Sequence, residues 1–372
     1  MECEFDVLII GAGVIGLSVG KELAEAGYTA GILEKNSKYG LDTSSRNSEV
    51  LHSGIHYQPG SLKAKLCVEG IRLLYEFCER RNILYRKTGK VTVAVTEEEL
   101  PELEKLYNAG IANGAEEMVL LSAGDVKKQL PEAECVGGLF TGTSGIINVH
   151  MLMDSLYREF ISTGGLCGLE EKAVGIDYGN EGYTVYVEGT PLRKYTARVL
   201  INCAGLFADR ISGMLGIDYN LHWAKGDYFS IEQKFEIDTL VYPVPGKDSL
   251  GIHLTPKMGG GLRAGPDIEY VEKKLPPYPD EKTASGYMVD EGKKVFFYGK
   301  LKRYLPALSE DGLSPEMYGI RAKLQGPSDG FTDFVIKEEK HGFINLVGIE
   351  SPGLTSCLAI AGYVRDMVKN AI

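Results

Sequence analysis

The first apolar run, Phe5-Asp-Val-Leu-Ile-Ile10, is followed at once by glycines and by a helix-forming stretch from Val14. A short, nearly continuous run of this kind predicts a strand buried on both faces, then a turn and a helix. A second apolar run, Tyr28 to Leu33, predicts the returning strand of a βαβ unit. The stretch from Tyr39 to Pro59 is rich in Gly, Ser, Asn and His and reads as a loop. Ser61 has the place of an N-cap, and Leu62, Leu66, Ile71, Leu74, Phe77 and Cys78 stripe a helix running to about Arg80.

Further along, Val91 to Val95 predicts a strand, Glu97 to Ala112 an acidic surface helix, and Asp125 to Gln129 a short helix stopped by Pro131. An amphipathic helix is predicted over His150–Thr163, then strands around Ala173–Asp177, Thr184–Glu188 and Thr196–Asn202. Between about Tyr219 and Pro315 the pattern changes to short strands punctuated by Tyr, Pro and a Gly259-Gly-Gly261 turn, which predicts a mostly antiparallel sheet with few long helices. An apolar strand, Phe343 to Ile349, a turn at Ser351-Pro-Gly353 and a helix from about Thr355 to Lys369 close the chain. The pattern is that of one α/β domain assembled from separated pieces, with a sheet domain inserted twice.

The glycines after the first strand carry chemistry. Gly11, Gly13 and Gly16 fill the three positions of a dinucleotide fingerprint: a tight turn, a close backbone approach to a pyrophosphate, and close helix–strand packing. The helix that starts there, with Val14 and Ile15 in its first turn, aims unpaired N–H groups and a positive dipole end at phosphates. Glu34 ends the second strand, 18 residues after Gly16, where an acid accepts hydrogen bonds from a ribose diol and disfavours a 2′-phosphate. NADP is therefore not expected.

At 372 residues the chain is long enough for about two domains. Its 44% hydrophobic and 24% charged content is ordinary for a globular protein. A net charge of −11 argues against a nucleic-acid partner. It leaves room for an anionic substrate, because a few local Arg and Lys residues set the field in a pocket. Seven cysteines, none in CxxC spacing, fit reduced thiols in a cytoplasmic protein. His52 and His56 are four residues apart, but on a loop and without further ligands, so no metal is expected. The acidic Met1-Glu-Cys-Glu4 start is unlike a signal peptide, and no apolar run reaches the ~20 residues of a membrane span. Peripheral membrane contact remains open.

Two further close backbone approaches, Asn202-Cys-Ala-Gly-Leu-Phe-Ala-Asp209 and Gly348-Ile-Glu-Ser-Pro-Gly-Leu-Thr355, favour a flavin over a nicotinamide. The chain resembles the flavin-dependent D-amino-acid oxidase superfamily, and within it the L-2-hydroxyglutarate dehydrogenases and oxidases. The resemblance rests on Ser45–Tyr57, Gly60–Gly70, Asn202–Gly205, Val241–Pro245, Leu250–Thr255, Gly319–Lys323 and Ser351–Ile360, in order along nearly the whole chain. It implies an α/β fold: a Rossmann-like FAD-binding domain of the glutathione-reductase type (1–84, 146–218 and 319–372) with an inserted, mostly antiparallel α+β substrate domain (85–145 and 219–318). FAD is the implied cofactor. Its implied contacts are Gly11, Gly13, Val14, Ile15, Gly16, Glu34, Lys35, Ser44, Ser45, Arg46, Asn47, Ser48, Val174, Ala204, Gly205, Asp209, Arg321, Ser351, Pro352, Gly353, Leu354 and Thr355.

The implied reaction oxidises a small L-2-hydroxy acid, 2-hydroxyglutarate foremost, by hydride transfer to flavin N5. It needs a base for the hydroxyl proton, and histidine suits this role. Of six histidines, His253 and His52 lie in the family-like segments; His56, His150, His222 and His341 read as loop or surface residues. Arg321 is the expected bidentate partner of the substrate carboxylate, with Lys323 on the same strand face. Lys225, Arg263 and Arg46 are candidates for a second cation. Tyr57 and Tyr242 are candidate donors or pocket walls. Amino-acid or amine oxidation, glycerol-3-phosphate oxidation and a substrate-free flavin electron carrier or redox sensor remain alternatives. The electron acceptor is open between a quinone, oxygen and a carrier protein.

Overall fold

The computed structural model describes residues 3–246, 251–272, 278 and 287–372. Leu250, part of one family-like segment, lies outside the described residues, as do Met1 and Glu2 of the expected acidic start. The described residues form sheets of eight, nine and three strands.

The eight-stranded sheet is built around Phe5–Ile10. This strand pairs in parallel with Ala30–Glu34 on one side and Arg193–Asn202 on the other. Leu166–Leu169 extends the parallel array beyond Ala30–Glu34, and Phe343–Val347 extends it beyond Asn202. Both faces of the first strand are covered, which explains its continuous apolar sequence. Val7 and Ile9 enter a core with Leu17, Phe160, Ile360 and Val364, from helices Val14–Glu25, Val149–Ser162 and Gly353–Ala371. Leu8 and Ile10 enter the opposite core with Val185, Leu200 and Ile211. The second strand starts at Ala30, two residues later than its apolar run, because Tyr28 N–H caps the preceding helix at the Leu23 carbonyl. Ser61 is the N-cap of Leu62–Arg81, its Oγ accepting from Ala64 N–H at 3.1 Å.

The parallel strands end together at a buried polar knot. Asn202 Nδ2 donates to Asn345 Oδ1 (2.8 Å) and to the Ala208 carbonyl (2.8 Å), while Ala204 N–H donates to Asn202 Oδ1 (3.1 Å). Ser212 Oγ donates to Asn345 Oδ1 at 3.1 Å. The knot holds two adjacent strand ends level and fixes the Cys203–Gly205 turn.

The nine-stranded sheet joins chain segments far apart in sequence. His222–Ile231 pairs antiparallel with Leu313–Lys323, and through Leu262–Ala264 and Leu254–Pro256 the sheet reaches Leu240–Pro243. There the pairing turns parallel: Leu240–Pro243 runs alongside Lys90–Ala94, which then pairs antiparallel with Gly137–Thr141. Helix Lys294–Lys302 packs Phe297 and Leu301 onto this sheet. The expected boundary at 318/319 cuts through one strand. Gly319 to Lys323 stays paired with Gly226 to His222, so Arg321 projects from the inserted sheet rather than from the nucleotide domain. The small third sheet, Val50–Leu51, Gly145–Ile147 and Tyr85–Arg86, ties the polar loop to the insertion; the expected boundaries near 84 and 146 fall within it.

Asn202→Ala leaves Ala204 N–H without its buried acceptor and takes one of two donors from Asn345 Oδ1, which keeps only Ser212 Oγ. It should therefore lower unfolding free energy by about 1–3 kcal/mol. Chemical denaturation checks this, and a loss under about 0.5 kcal/mol would mean the knot is incidental.

Candidate active site

The ends of the parallel strands and the inserted sheet enclose a cavity of about 1740 Å³. That exceeds the roughly 300–1,000 Å³ of a single small-ligand site, leaving room for a dinucleotide and a substrate together. One end is lined by Gly11, Gly13, Val14, Ile15, Glu34, Lys35, Ser44, Arg46, Asn47, Ser48 and Val174, and by Ala204, Gly205, Ser351, Pro352, Gly353 and Leu354. The other end holds His52, His56, Tyr57, Tyr228, Tyr242, His253, Arg321 and Lys323.

The first end fits FAD. Gly11 has φ +105°, and a Cβ there would stand 2.5 Å from the Cys203 carbonyl oxygen. Only glycine permits this turn and leaves the backbone bare towards a phosphate. A Cβ on Gly16 would run into the Gly11 carbonyl, so Gly16 serves packing and does not line the cavity. Val14 N–H donates to Ser44 Oγ at 2.9 Å, drawing the polar loop over the helix N-terminus. Glu34 accepts from Ala12 N–H (2.8 Å) and Asn36 N–H (2.9 Å). A carboxylate has further lone pairs for two ribose hydroxyls. Burial pushes the Glu34 carboxyl up, against the opposing Ala12 and Asn36 N–H groups and Lys35.

Three other expected cofactor contacts stand off the cavity wall. Ser45 turns its hydroxyl back to the Leu41 and Asp42 carbonyls. Asp209 sits in the first turn of a short helix, where its Oδ1 accepts from Arg210 N–H, and it is Arg210 that reaches the cavity. Thr355 is fully buried; its Oγ1 accepts from His52 N–H at 3.0 Å, so its side chain positions a histidine backbone.

At the other end the histidines are not equivalent. His52 Nε2 lies 3.3 Å from Ser351 Oγ, which in turn lies 3.4 Å from Tyr57 OH. Cys67 Sγ donates to the His52 carbonyl at 3.2 Å, and with Thr355 fixes that backbone from both sides. His253 is buried, with Tyr242 flat against its ring, centroids 3.5 Å apart and planes 9° apart. Tyr242 stands between His253 and His56, whose ring is 6.4 Å from it and tilted 20°. His56, expected as a loop or surface residue, is in a loop but not on the surface. It lines the cavity instead, with Nε2 3.1 Å from Lys90 Nζ. His150 and His341 are exposed, and His222 meets Asn220 outside the cavity.

The candidate cations also separate. Lys225 is buried against Asp227 at 2.5 and 2.7 Å, and Arg263 makes a two-point pair with Glu316 at 2.8 and 3.0 Å. Neither lines the cavity. Lys323 and Lys63 reach the cavity, but both are held by the buried Glu350, each at 3.0 Å. Lys323 is thus a fixed wall charge instead of a free substrate contact. Arg46 lies over the Tyr278 ring at 5.6 Å. Arg321 hydrogen-bonds the Tyr228 phenol, and no carboxylate pairs with it among the described residues.

The local field is positive in an acidic chain. Burial alone would raise the Glu350 carboxyl, yet Lys63, Lys323 and Arg321 outweigh it and hold the group below its ordinary range. Burial, then Lys90 and Arg321, lowers His52 to about 3. Burial, Lys90, His52 and His253 lower His56 as well. Both imidazoles are neutral near pH 7, the form able to accept a proton.

The sequence reading missed Tyr228, Lys63, Glu350 and Lys90. One signal for Lys90 was present: a lysine opening the apolar Lys90-Val-Thr-Val-Ala94 strand. Val91 and Val93 face the core of the inserted domain, and Lys90 is itself only 1% exposed.

Residues 6–367 match the family of FAD dependent oxidoreductases. The chain is 35% identical to a mitochondrial L-2-hydroxyglutarate dehydrogenase of Arabidopsis thaliana, over 97% of this chain and 83% of the relative. It is 32% identical to a glycerol 3-phosphate dehydrogenase of Caloramator mitchellensis, over 98% of this chain and 74% of that one. Its fold is similar to the FAD-bound L-α-glycerophosphate oxidase of Mycoplasma pneumoniae, with a TM-score of 0.86 at 23% identity over 98% and 94% of the two chains.

Burial brings the Lys90 ammonium down to about 7. Between that value and the ~10.4 of an unfolded lysine, the unfolded chain keeps a proton the folded chain has released, so stability rises with pH across that window. Below 7 both states are protonated and the burial cost is complete. Lys90→Met should therefore melt above the wild type at pH 6, with the gap closing towards pH 10. A pH-independent difference in melting temperature would contradict this.

Proposed function

Because the chain belongs to the FAD-dependent oxidoreductase family, with FAD as its cofactor, we propose that it oxidises a small L-2-hydroxy acid, L-2-hydroxyglutarate to 2-oxoglutarate foremost. The observation that carries this reading is Arg321: a cavity guanidinium whose charge reaches the neutral His52, and which makes no salt bridge to a carboxylate among the described residues. A planar fork of donors is what a 1-carboxylate requires. FAD, when bound, supplies the hydride acceptor.

The protein's own residues supply the rest. Arg321 holds the 1-carboxylate, with Tyr228 bracing its guanidinium. His52 takes the hydroxyl proton at Nε2 once Ser351 Oγ, 3.3 Å from that nitrogen, turns aside and frees its lone pair for the substrate hydroxyl. His52 is preferred to His253 as the base because Tyr242 covers a face of the His253 ring, while the His52 ring meets Ser351 and feels the Arg321 charge. His253 and Tyr242 then form an aromatic wall, and Tyr57 braces Ser351. Glu350, with Lys63 and Lys323, keeps fixed positive charge beside the Ser351–Leu354 turn. Two-electron oxidation needs a final acceptor, for which a quinone, oxygen and a carrier protein are the candidates. Among the described residues no helix is long and apolar enough to cross a membrane, so a quinone would be met by peripheral contact. All seven cysteines are free thiols, which supports a reducing, cytoplasmic setting.

Glycerol 3-phosphate is the second reading, favoured by the similarity to the Caloramator mitchellensis enzyme. Turnover of the FAD-loaded protein with each substrate separates the two. With L-2-hydroxyglutarate, Arg321→Ala should raise KM and lower kcat/KM while flavin content stays intact; equal loss of flavin would move Arg321 from substrate to cofactor. His52→Ala should lower kcat by ~10²–10⁴, and His253→Ala by less. The reverse order would make His253 the base.

A further inference from the structure

Lys90 is a buried cation behind this site that the proposed reaction leaves without a task. Its strand, Lys90–Ala94, pairs in parallel with Leu240–Pro243, so Lys90 is set beneath the cavity wall formed by Tyr242. It is 1% exposed, and no carboxylate pairs with it among the described residues. Its neighbours are the His56 Nε2 at 3.1 Å and the face of the Tyr242 ring at 5.2 Å. An ammonium in such a place costs stability unless an anion completes it. The other candidates for a second positive contact are committed elsewhere: Lys225 to Asp227, Arg263 to Glu316, and Lys63 and Lys323 to Glu350. Arg46 lies over Tyr278, and its charge registers at Tyr318 and not at His52 or His56.

The Lys90–His56 contact also sets the state of the imidazole. When Lys90 is an ammonium, as beside a bound anion, it has only protons to give, so Nε2 of His56 is the acceptor and the ring proton sits on Nδ1. That Nδ1 is buried and has no hydrogen-bond partner among the described residues. His56 is thus a cavity residue backed by a cation and holding a donor without an acceptor. His52, the proposed base, lies in the field of both Lys90 and Arg321.

We propose that Lys90, acting through His56, is the specificity-determining charge for a second carboxylate, so that the site selects dicarboxylic 2-hydroxy acids over monocarboxylic ones. Arg321 holds the carboxylate next to the reacting carbon, and the His56–Lys90 pair holds the remote one. Lys90 is a positioning residue that orients and charges His56 and takes no part in the hydride or proton transfer. The proposal rests on the 2-hydroxy-acid reading of the same site.

The test compares L-2-hydroxyglutarate with its 5-amide, which has the same shape and lacks only the remote charge. In the wild type the amide should have a KM higher by on the order of ten- to a hundredfold, with kcat altered far less, as uniform binding requires. In Lys90→Met the acid-to-amide KM ratio should collapse to within about twofold, and Lys90→Arg should restore most of it. Calorimetric binding of 2-oxoglutarate and its 5-amide to the FAD-loaded protein should show the same collapse without turnover. If Lys90→Met does not retain FAD, Lys90→Gln, which keeps a donor on His56 but no charge, is read in the same way. A wild type that takes acid and amide equally overturns the proposal with no variant needed. A Lys90 variant that weakens acid and amide equally also overturns it, because that is the mark of a structural lysine. Failure of the 2-hydroxy-acid reading looks different: the wild type turns over glycerol 3-phosphate or an amine and neither hydroxy acid, and the proposal falls with it.

Discussion

The architecture depends on parallel strands that must all end at one level. Phe5–Ile10, Arg193–Asn202 and Phe343–Val347 lie side by side, and the Asn202–Asn345–Ser212 hydrogen bonds hold two of their ends in register. Each strand then has to leave the sheet in a turn whose backbone comes close to its neighbour. Gly11 packs against Cys203, and Glu350–Gly353 turns directly into the last helix. The result is a crevice at the carboxyl ends of the strands, floored by backbone and helix N-termini, the usual binding place in open α/β sheets. The inserted sheet closes the far side of that crevice.

Two materials therefore meet in one cavity. The nucleotide-domain side is glycine, serine and backbone amide, suited to phosphate and ribose. The inserted-sheet side brings Arg321, Tyr228, Tyr242 and His253, with Lys90 behind them. Between the two, Glu350 ties Lys63 from one domain to Lys323 from the other. A net charge of −11 over the chain coexists with this positive interior because burial, not the sum over the surface, sets the local field. Burial first, and then this field, keeps His52 and His56 neutral.

Much of the fold was legible in the sequence. The opening βαβ unit, the Ser61 helix and the closing strand and helix each carry a local signal of period, cap or glycine. Strand Leu166–Leu169 was not legible, since its glycine and cysteine give no alternation to read. The 318/319 boundary falls inside a strand because Gly319–Lys323 continues a pairing with His222–Gly226, some hundred residues away. The site followed the same rule. Residues on local motifs, such as Gly11, Glu34 and Ser351–Leu354, could be placed on the cavity from sequence. Whether a lysine or arginine is free or already paired depends on distant partners. Lys225, Arg263 and Lys323 looked available only because Asp227, Glu316 and Glu350 could not be seen beside them. His56 looked like a surface residue because Lys90, 34 positions on, is its neighbour only in the folded chain.

The most direct test of the central claim is an anaerobic titration of the FAD-loaded protein, following the oxidised-flavin absorbance as L-2-hydroxyglutarate, its D enantiomer or glycerol 3-phosphate is added. The account predicts bleaching by the L-hydroxy acid alone, with 2-oxoglutarate formed in equal amount. Bleaching by glycerol 3-phosphate and not by the hydroxy acid would contradict it, leaving the fold and cofactor in place but removing the substrate.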